Sequence, residues 1–161
     1  MKFTIERAAL LKSLGHVQSV VERRNTIPIL SNVKIEVSDG GLSLNATDMD
    51  LDIVETTPAE VAGKGATTAS AHTLYEIVRK LPEGAQVELD SDGDDGKVVL
   101  RSGRSRFSLA ALPTQDFPVM AEGELPYAFI LPAAELRGII DHTRFAISTE
   151  ETRYYLNGIY L

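Results

Sequence analysis

Apolar residues at the start of the chain change from a spacing of two residues to a spacing of three or four. Phe3 and Ile5 alternate with polar neighbours, which predicts a short β-strand. The next apolar residues would share one face of a helix: Leu10, Leu14, Val17 and Val21. The opening of the chain therefore predicts a strand that leads into an amphipathic helix.

An alternating pattern of apolar and polar positions follows this helix. Residues 29–37 predict a strand, and Asp39 with Gly40 predicts a hairpin turn because both residue types tolerate positive φ. The alternation continues over residues 42–44 and again over residues 49–57. This region therefore predicts three consecutive strands joined by short turns.

A second helix is predicted after Ser70, which can cap its N-terminus. Its apolar face would be formed by Leu74, Ile77, Val78 and Leu81. Pro82 and Gly84 end the helical pattern. Three short strands are then predicted, at residues 87–89, 98–100 and 106–110.

Residues 113–126 have no apolar period and contain three prolines. Such a stretch is typical of a connection between domains. We therefore predict a first domain over residues 1–120, a linker over residues 121–126 and a second domain over residues 127–161.

The opening pattern returns after this linker at a constant offset of 126 residues. Phe129 and Leu131 repeat Phe3 and Ile5. Further residues keep the same offset from the first helix and from the strand after it: Ala134, Leu136, Ile140, His142, Leu156 and Ile159. The repeat predicts two copies of one β-α-β…β unit and an α+β fold. Pro132 would occupy the first helical position of the second copy.

The second copy ends at Leu161, within its predicted second strand. A unit cut at this point lacks most of its sheet and leaves a strand edge without a partner. We therefore expect the chain to be part of a longer one, with a truncated second domain that satisfies its own apolar residues poorly.

Composition excludes several classes of protein. Hydrophobic residues make up 43% of the 161 residues and charged residues 24%, which is a globular balance. The absence of cysteine excludes disulfides and thiolate chemistry. No stretch approaches the roughly 20 apolar residues of a membrane span or resembles a signal peptide. A cytoplasmic protein without membrane contact is expected.

Charge is distributed unevenly along the chain. The net charge is −7, but residues 1–24 contain five basic and two acidic residues, a local net charge of +3. This segregation is compatible with a basic strip that contacts nucleic acid. It is also compatible with an ordinary solvated helix face. Charge alone favours this second interpretation.

No arrangement of polar residues predicts catalysis, a cofactor or a metal. Two of the three histidines, His16 and His142, are repeat equivalents, which favours a structural or surface role. The segment Gly63-Lys64-Gly65 lacks the residue order of a phosphate-binding loop. The acidic residues between the strands at 87–89 and 98–100 favour a solvated turn over a calcium loop, because Arg101 stands where the last calcium ligand is required.

Five segments, in this order, carry a specific resemblance: MKFTIER at 1–7, PIL at 28–30, LPEGA at 81–85, RSGRSRFSL at 101–109 and RYYLNG at 153–158. Together with the internal duplication, they resemble the β subunit of bacterial DNA polymerase III, the sliding clamp family. The resemblance extends over essentially the whole chain.

The resemblance implies a DNA-clamp fold, in which repeated units place antiparallel sheets on the outside and helices around a pore. Three such domains form each chain, and two chains close head to tail into a homodimeric ring. The family is not enzymatic. It encircles duplex DNA and tethers the catalytic subunit of DNA polymerase III, and it also binds the clamp loader and other proteins with a clamp-binding motif.

The resemblance also implies roles for individual residues. The DNA-binding residues would be Lys12, Arg24, Arg137, Tyr154 and Tyr155. Leu156 would form part of the partner-binding pocket. The subunit interface would include Arg104, Arg106, Phe107 and Leu109.

Two adjacent positions depart from the family pattern, because His72 and Thr73 stand where many relatives have basic residues. An alternative also remains open, in which the chain is an acidic protein-binding scaffold that does not contact DNA. Charge reversal on the helix face would distinguish the two functions.

Overall fold

The computed structural model describes residues 1–22, 26–91, 96–119 and 127–160. The chain divides into two compact units, Met1–Ala121 and Glu122–Leu161. The predicted linker, residues 121–126, lies outside the described residues, so its bounds stay a prediction.

The first unit has the predicted α+β composition, with antiparallel strands and two α-helices. Its elements are β1 (Lys2–Glu6), α1 (Arg7–Val17), β2 (Asn32–Ser38), β3 (Gly41–Thr47), β4 (Asp52–Thr57), β5 (Glu60–Gly63), β6 (Gly65–Ser70), α2 (Ala71–Lys80), β7 (Gln86–Asp90), β8 (Lys97–Ser102) and β9 (Ser105–Ala110).

Nine strands form two antiparallel sheets in the described part of this unit. The five-stranded sheet has the order β5-β1-β7-β8-β9, and the four-stranded sheet has the order β4-β3-β2-β6. Strands β9 and β4 therefore lie at outer edges, one in each sheet.

The two halves of the first unit exchange their first strands. Helix α1 is followed by β2, β3 and β4, and α2 is followed by β7, β8 and β9. However, β1 pairs with β7 of the second half, and β6 pairs with β2 of the first half. Each sheet therefore contains strands from both halves, and neither sheet can form from one half alone.

Both sheets and both helices contribute to one hydrophobic core. Phe3 of β1, Leu14 of α1 and Leu74 of α2 are fully buried there, as predicted from their spacing. Val21 is buried although α1 ends at Val17, because the chain turns back over the core after the helix.

Two predicted strands begin later than the alternation indicated. Residues Pro28–Ser31 form a 3₁₀ helix, so the strand predicted at 29–37 begins at Asn32. The strand predicted at 49–57 begins at Asp52, because the Asp48 carboxylate accepts hydrogen bonds from the N–H groups of Asp50 and Leu51 and forms a turn.

The hairpin between β2 and β3 is confirmed at Asp39 and Gly40, but the positive φ lies one residue later. Gly41 has φ +110°, and a Cβ atom there would lie 2.8 Å from the carbonyl oxygen of Thr57. Glycine is therefore required at this position both for its backbone conformation and for the close approach of β4.

The helix predicted after Ser70 is also confirmed, but the predicted side-chain cap is absent. Ser70 occupies the N-cap position of α2 but makes no side-chain hydrogen bond to the helix backbone. Its hydroxyl instead donates to the Thr73 hydroxyl at 3.0 Å.

The second unit contains helix α3 (Ala133–Thr143), which matches α1 at both ends with the offset of 126. Pro132 is its N-cap rather than its first helical residue. The strand predicted at Phe129 and Leu131 is wrong, because residues 127–132 form no strand. In the first unit β1 is held between β5 and β7, and residues 127–160 contain no counterpart of either strand.

The second predicted strand of this unit is wrong as well. Glu151–Leu156 form a 3₁₀ helix with a kink at Arg153, so Tyr154 and Tyr155 do not alternate across a strand. No residue whose exposure is described within 127–160 is buried.

Candidate functional site

Lys12 lies on the outer face of α1, opposite the buried Leu10 and Leu14. Its side chain is exposed and forms no ion pair with any described residue. A solvent-facing ammonium group of this kind can attract a phosphate without selecting a base.

Two other basic residues of the N-terminal segment are engaged within the fold. The ammonium group of Lys2 lies 3.1 Å from the Glu88 carboxylate, which also accepts a hydrogen bond from Arg101 at 2.9 Å. Hydrogen bonds from Lys2 and then from Arg101 lower the pKa of Glu88 below its ordinary value. The carboxylates of Glu88 and Asp90 in turn raise the pKa of Arg101.

Arg7 acts at the end of α2 rather than on a basic surface. Its guanidinium donates to the carbonyl oxygens of Val78 at 3.1 Å and Arg79 at 2.6 Å. Both carbonyl groups belong to the last turn of the helix, where the Val78 oxygen also accepts from the N–H of the C-cap residue Leu81 at 3.3 Å. The local charge of +3 therefore overstates the basic surface of the described N-terminal segment. Arg24 lies outside the described residues.

His72 connects α2 to the segment that follows α1. Its Nδ1 lies 3.1 Å from the side-chain oxygen of Gln18, and its Nε2 lies 3.0 Å from the carbonyl oxygen of Val21. The structure thus gives His72 a role in holding the first turn of α2 against the segment that follows α1.

Strand β9 is an outer strand that carries exposed cations. Arg104, in the turn before it, and Arg106 are exposed, and neither forms an ion pair with a described residue. Phe107 is half-buried and lines a cavity of about 530 Å³ beside α2. The apolar residues that share this cavity are Ile77, Leu81 and Pro82, with Lys80 at its border.

Leu109 does not fit the interface role implied by the resemblance. It is only 8% exposed and packs in the core of its own unit. Alternation along β9 explains the difference, because Arg106 and Ser108 face the opposite side of the strand. The described interface candidates are therefore Arg104, Arg106 and Phe107.

Cationic groups of α3 are partly neutralised by their own helix. Arg137 lies 3.5 Å from the Asp141 carboxylate, and Arg144 lies 3.7 Å from the same group. Arg137 nevertheless remains exposed, so its guanidinium group can still bind a phosphate in place of the Asp141 carboxylate.

A hydrogen-bonded loop, Ser148 to Asn157, displays the aromatic segment of the second unit. The Ser148 N–H donates to the Leu156 carbonyl oxygen at 2.9 Å and closes the loop. Tyr155 is 71% exposed and Leu156 is 46% exposed. The side chain of Tyr154 lies outside the described residues.

Residue spacing alone did not predict that Ile77, Lys80 and Leu81 line a surface cavity. The spacing of Ile77 and Leu81, four residues apart on α2, could have indicated a shared apolar face next to β9. Asn157 was also missed, since only the folded loop brings its amide to two carbonyl groups.

Neither a metal site nor a membrane span is found among the described residues. No group of three or more histidine, aspartate or glutamate side chains is arranged to hold a metal ion in residues 1–22, 26–91, 96–119 and 127–160. Within these same ranges, no helix is long and apolar enough to cross a membrane.

Comparisons with known proteins agree in the kind of protein they identify. The family model for the DNA polymerase III beta subunit, N-terminal domain, matches residues 1–121. A beta sliding clamp of Caulobacter vibrioides is 60% identical over 161 residues, which are 100% of this chain and 43% of that protein. The beta sliding clamp of Escherichia coli K12 is 42% identical over 99% of this chain.

Solved structures show the same similarity. The structure of Caulobacter crescentus pol III beta matches with a TM-score of 0.94 and 60% identity, covering 99% of this chain and 43% of the other. A sliding clamp from Bartonella birtlesii also matches with a TM-score of 0.94, at 48% identity over 99% of this chain and 42% of the other. The chain thus spans less than half the length of these relatives.

Proposed function

The chain belongs to the DNA polymerase III beta subunit family, and on this premise we propose that it forms part of a sliding clamp. The complete ring encircles duplex DNA and tethers the replicative polymerase, so that the polymerase stays at the template without making a tight contact of its own. The protein acts as a processivity factor and not as an enzyme, and it acts in the cytoplasm.

The similarity to the Caulobacter vibrioides clamp carries this proposal. The relative is 60% identical along the whole chain, and the resemblance includes both units of the repeat. A protein that shares only the fold would not be expected to keep this identity over both units.

A sliding surface requires weak contacts that do not select a sequence. Phosphate contacts supply affinity without base readout, and a few exposed cations keep that affinity low enough for movement. We assign these contacts to Lys12 and Arg137, and to the hydroxyl group of the exposed Tyr155. Arg24 and Tyr154 complete the proposed set from the resemblance.

Partner binding is assigned to two other surfaces. Leu156 is half-exposed and would form one wall of a pocket for the polymerase catalytic subunit, the clamp loader and other proteins with a clamp-binding motif. The exposed edge of β9, with Arg104, Arg106 and the cavity at Phe107, would meet the second subunit of a homodimeric ring. An outer strand with free N–H and C=O groups is suited to continue a sheet across such an interface.

A salt-dependent titration tests the DNA contact. We expect the chain to bind a fluorescein-labelled duplex weakly at low ionic strength, and Lys12→Glu to weaken this binding. Loss of one phosphate contact should reduce the slope of log K against log salt by about 0.9. Arg137→Glu should have a smaller effect, because Arg137 already has Asp141 as a partner.

The control makes the same charge change away from the helices. Lys64 is exposed and lies 2.7 Å from Asp39 of the β2–β3 hairpin. Lys64→Glu should leave the salt slope unchanged. Equal losses for Lys12→Glu and Lys64→Glu would contradict a DNA-facing role for α1.

The net charge of −7 supports one alternative, an acidic scaffold that binds proteins and not DNA. The same titration separates the two functions. A scaffold would give no salt-dependent binding of duplex with the wild-type chain, and charge reversal at Lys12 would then have no effect.

A further inference from the structure

The loop from Ser148 to Asn157, in which no residue of described exposure is buried, is closed by hydrogen bonds between its own residues. Because it carries Tyr155 and Leu156, these bonds determine how the proposed DNA-binding and partner-binding side chains are displayed.

A backbone kink creates the need for an additional donor. Arg153 has φ −110° and ψ 48°, which interrupts the 3₁₀ helix of Glu151–Leu156. An interrupted helix leaves carbonyl groups without their regular partners. The Arg153 carbonyl oxygen is one of the acceptors at this interruption, and a side chain reaches it.

That side chain is Asn157. In the orientation that satisfies its hydrogen bonds, its amide nitrogen donates to the carbonyl oxygens of Ser148 at 2.9 Å and Arg153 at 3.2 Å. Both backbone polar groups of Ser148 are thus engaged, because its N–H donates to the carbonyl oxygen of Leu156 at 2.9 Å. One amide group joins the beginning, the kink and the end of the loop.

The equivalent segment of the first unit is stabilised in another way. Residue 31 is a serine at the position that corresponds to Asn157, and Leu30 corresponds to Leu156. Leu30 is 4% exposed and packs with Ile29 and Phe117. Packing of Leu30 supports this 3₁₀ turn in the first unit, and hydrogen bonds that include those of Asn157 close its counterpart in the second.

We propose that Asn157 is a positioning residue that holds this loop in one conformation, with Arg153, Tyr155 and Leu156 in fixed relation. Its amide supplies two N–H donors from one short side chain, which neither serine, aspartate nor alanine can do. The inference rests on the proposed function for its consequence, since a preformed loop loses less conformational entropy when it meets DNA or a partner.

Amide hydrogen exchange of the whole chain tests the positioning role directly. Asn157→Asp replaces the two donors with a carboxylate that faces two carbonyl oxygens. We expect exchange at the Ser148 and Arg153 N–H groups to become about tenfold faster, as for the loss of one or two net hydrogen bonds. Amides of β1 and β7 should keep their wild-type rates.

The pH dependence of exchange in Asn157→Asp shows whether Asn157 acts as a hydrogen-bond donor or only fills space. A protonated carboxyl group regains one O–H donor, and the facing carbonyl oxygens favour this neutral form. In Asn157→Asp, the protection of the Ser148 and Arg153 N–H groups from exchange should therefore return partly as the pH falls towards about 4. Asn157→Ala should lose the same protection at neutral pH without this recovery.

Thr152→Ala is the matched control, because it shortens an exposed polar side chain in the same turn. It should leave exchange at Ser148 and Arg153 unchanged. The positioning role is overturned if Asn157→Asp exchanges at the wild-type rate, or if Thr152→Ala exchanges as fast as Asn157→Ala.

A duplex titration connects the loop to the proposed function. Asn157→Ala changes no charge, and we expect it to weaken duplex binding at least about threefold, while Thr152→Ala leaves it unchanged. Faster exchange with unchanged affinity overturns the link between the loop conformation and DNA contact. Absence of duplex binding by the wild-type chain contradicts the proposed function itself, and the exchange rates still decide whether Asn157 holds the loop.

Discussion

Helices α1 and α3 have the same length and begin and end at positions 126 residues apart, but their environments differ. Leu14 of α1 is completely buried, whereas its equivalent in α3, Ile140, is 38% exposed. The bounds of these helices therefore follow from local sequence. Their burial depends on neighbouring strands, which the described residues of the second unit do not form.

The strands on either side of these helices show the opposite behaviour. Phe3 lies in β1 between two neighbouring strands, while the equivalent Phe129 lies in no strand and is exposed. A helix completes its hydrogen bonds within one segment, but a strand requires a partner. Local sequence can consequently repeat a helix without repeating the sheet that covers it.

The largest expected effect comes from truncating equivalent residues of the two helices. Leu14→Ala should lower the free energy of unfolding of the first unit by about 2–5 kcal/mol, since it leaves a cavity in a closed core. Ile140→Ala should change stability by no more than about 1 kcal/mol, because solvent already reaches the side chain. Urea denaturation followed by circular dichroism measures both. Equal effects would mean that α3 is as well packed as α1.

An intermediate loss of stability is expected at the first residue of α1, which differs from the first residue of α3. Arg7→Ala should destabilise the first unit by about 1–2 kcal/mol, because two carbonyl groups at the end of α2 lose a charged donor. Its equivalent in the second unit is Ala133, which cannot make such bonds.

Thermal denaturation of Arg7→Ala beside Arg79→Ala provides the comparison. Arg79 forms an exposed pair with Glu76 at 2.8 Å, so its removal should cost at most about 0.5 kcal/mol. If the two variants lost the same stability, the contact between Arg7 and the end of α2 would be no stronger than a surface ion pair.

The smallest expected effect on stability concerns the ion pairs between Lys2 of β1 and the carboxylates of Glu88 and Asp90 in β7. Hydrogen bonds from Lys2 and Arg101 lower the pKa of Glu88 from its ordinary value of 4.5. A carboxyl group with a lowered pKa adds stability above that ordinary value, and this stability is lost as the pH falls through the folded-state pKa. The described residues of the second unit form no such contact between strands.

Glu88→Gln removes this titration. The difference in melting temperature between wild type and Glu88→Gln should be constant from about pH 7 to pH 5 and should narrow below 4.5. Lys2→Met should change the dependence of the melting temperature on pH in the same direction as Glu88→Gln, by a smaller amount. A difference independent of pH would show that the carboxylate adds nothing to β1 pairing.

Much of the first unit follows from residue spacing, because its helices and hairpins are determined by nearby residues. The period of Leu10, Leu14 and Val17 identifies α1, and the turn at Asp39 and Gly40 identifies a hairpin. Strand beginnings were less accurate. Asp48 forms a turn through its own carboxylate, and this local competition with the strand is not visible in the alternation.

The candidate site depends more on contacts that sequence spacing does not reveal. Lys2, Arg7 and Lys12 are indistinguishable as charges, but only Lys12 remains without an ion pair or hydrogen bond to the described residues. Leu109 belongs to the core because β9 presents it inward. Asn157 acquires its partners only after the chain kinks at Arg153. Each distinction arises from residues that are separated in sequence or from a backbone irregularity.

The exchange of first strands between the halves of the first unit also constrains how the protein is made. Lys2 pairs with Asp90, so β1 must wait for a segment made more than eighty residues later. At about 5–20 residues per second, this delay is roughly 4–18 seconds. Until β7 has been made, β5 is the one described strand that can pair with β1, so Phe3 and Ile5 lack the complete sheet that buries them.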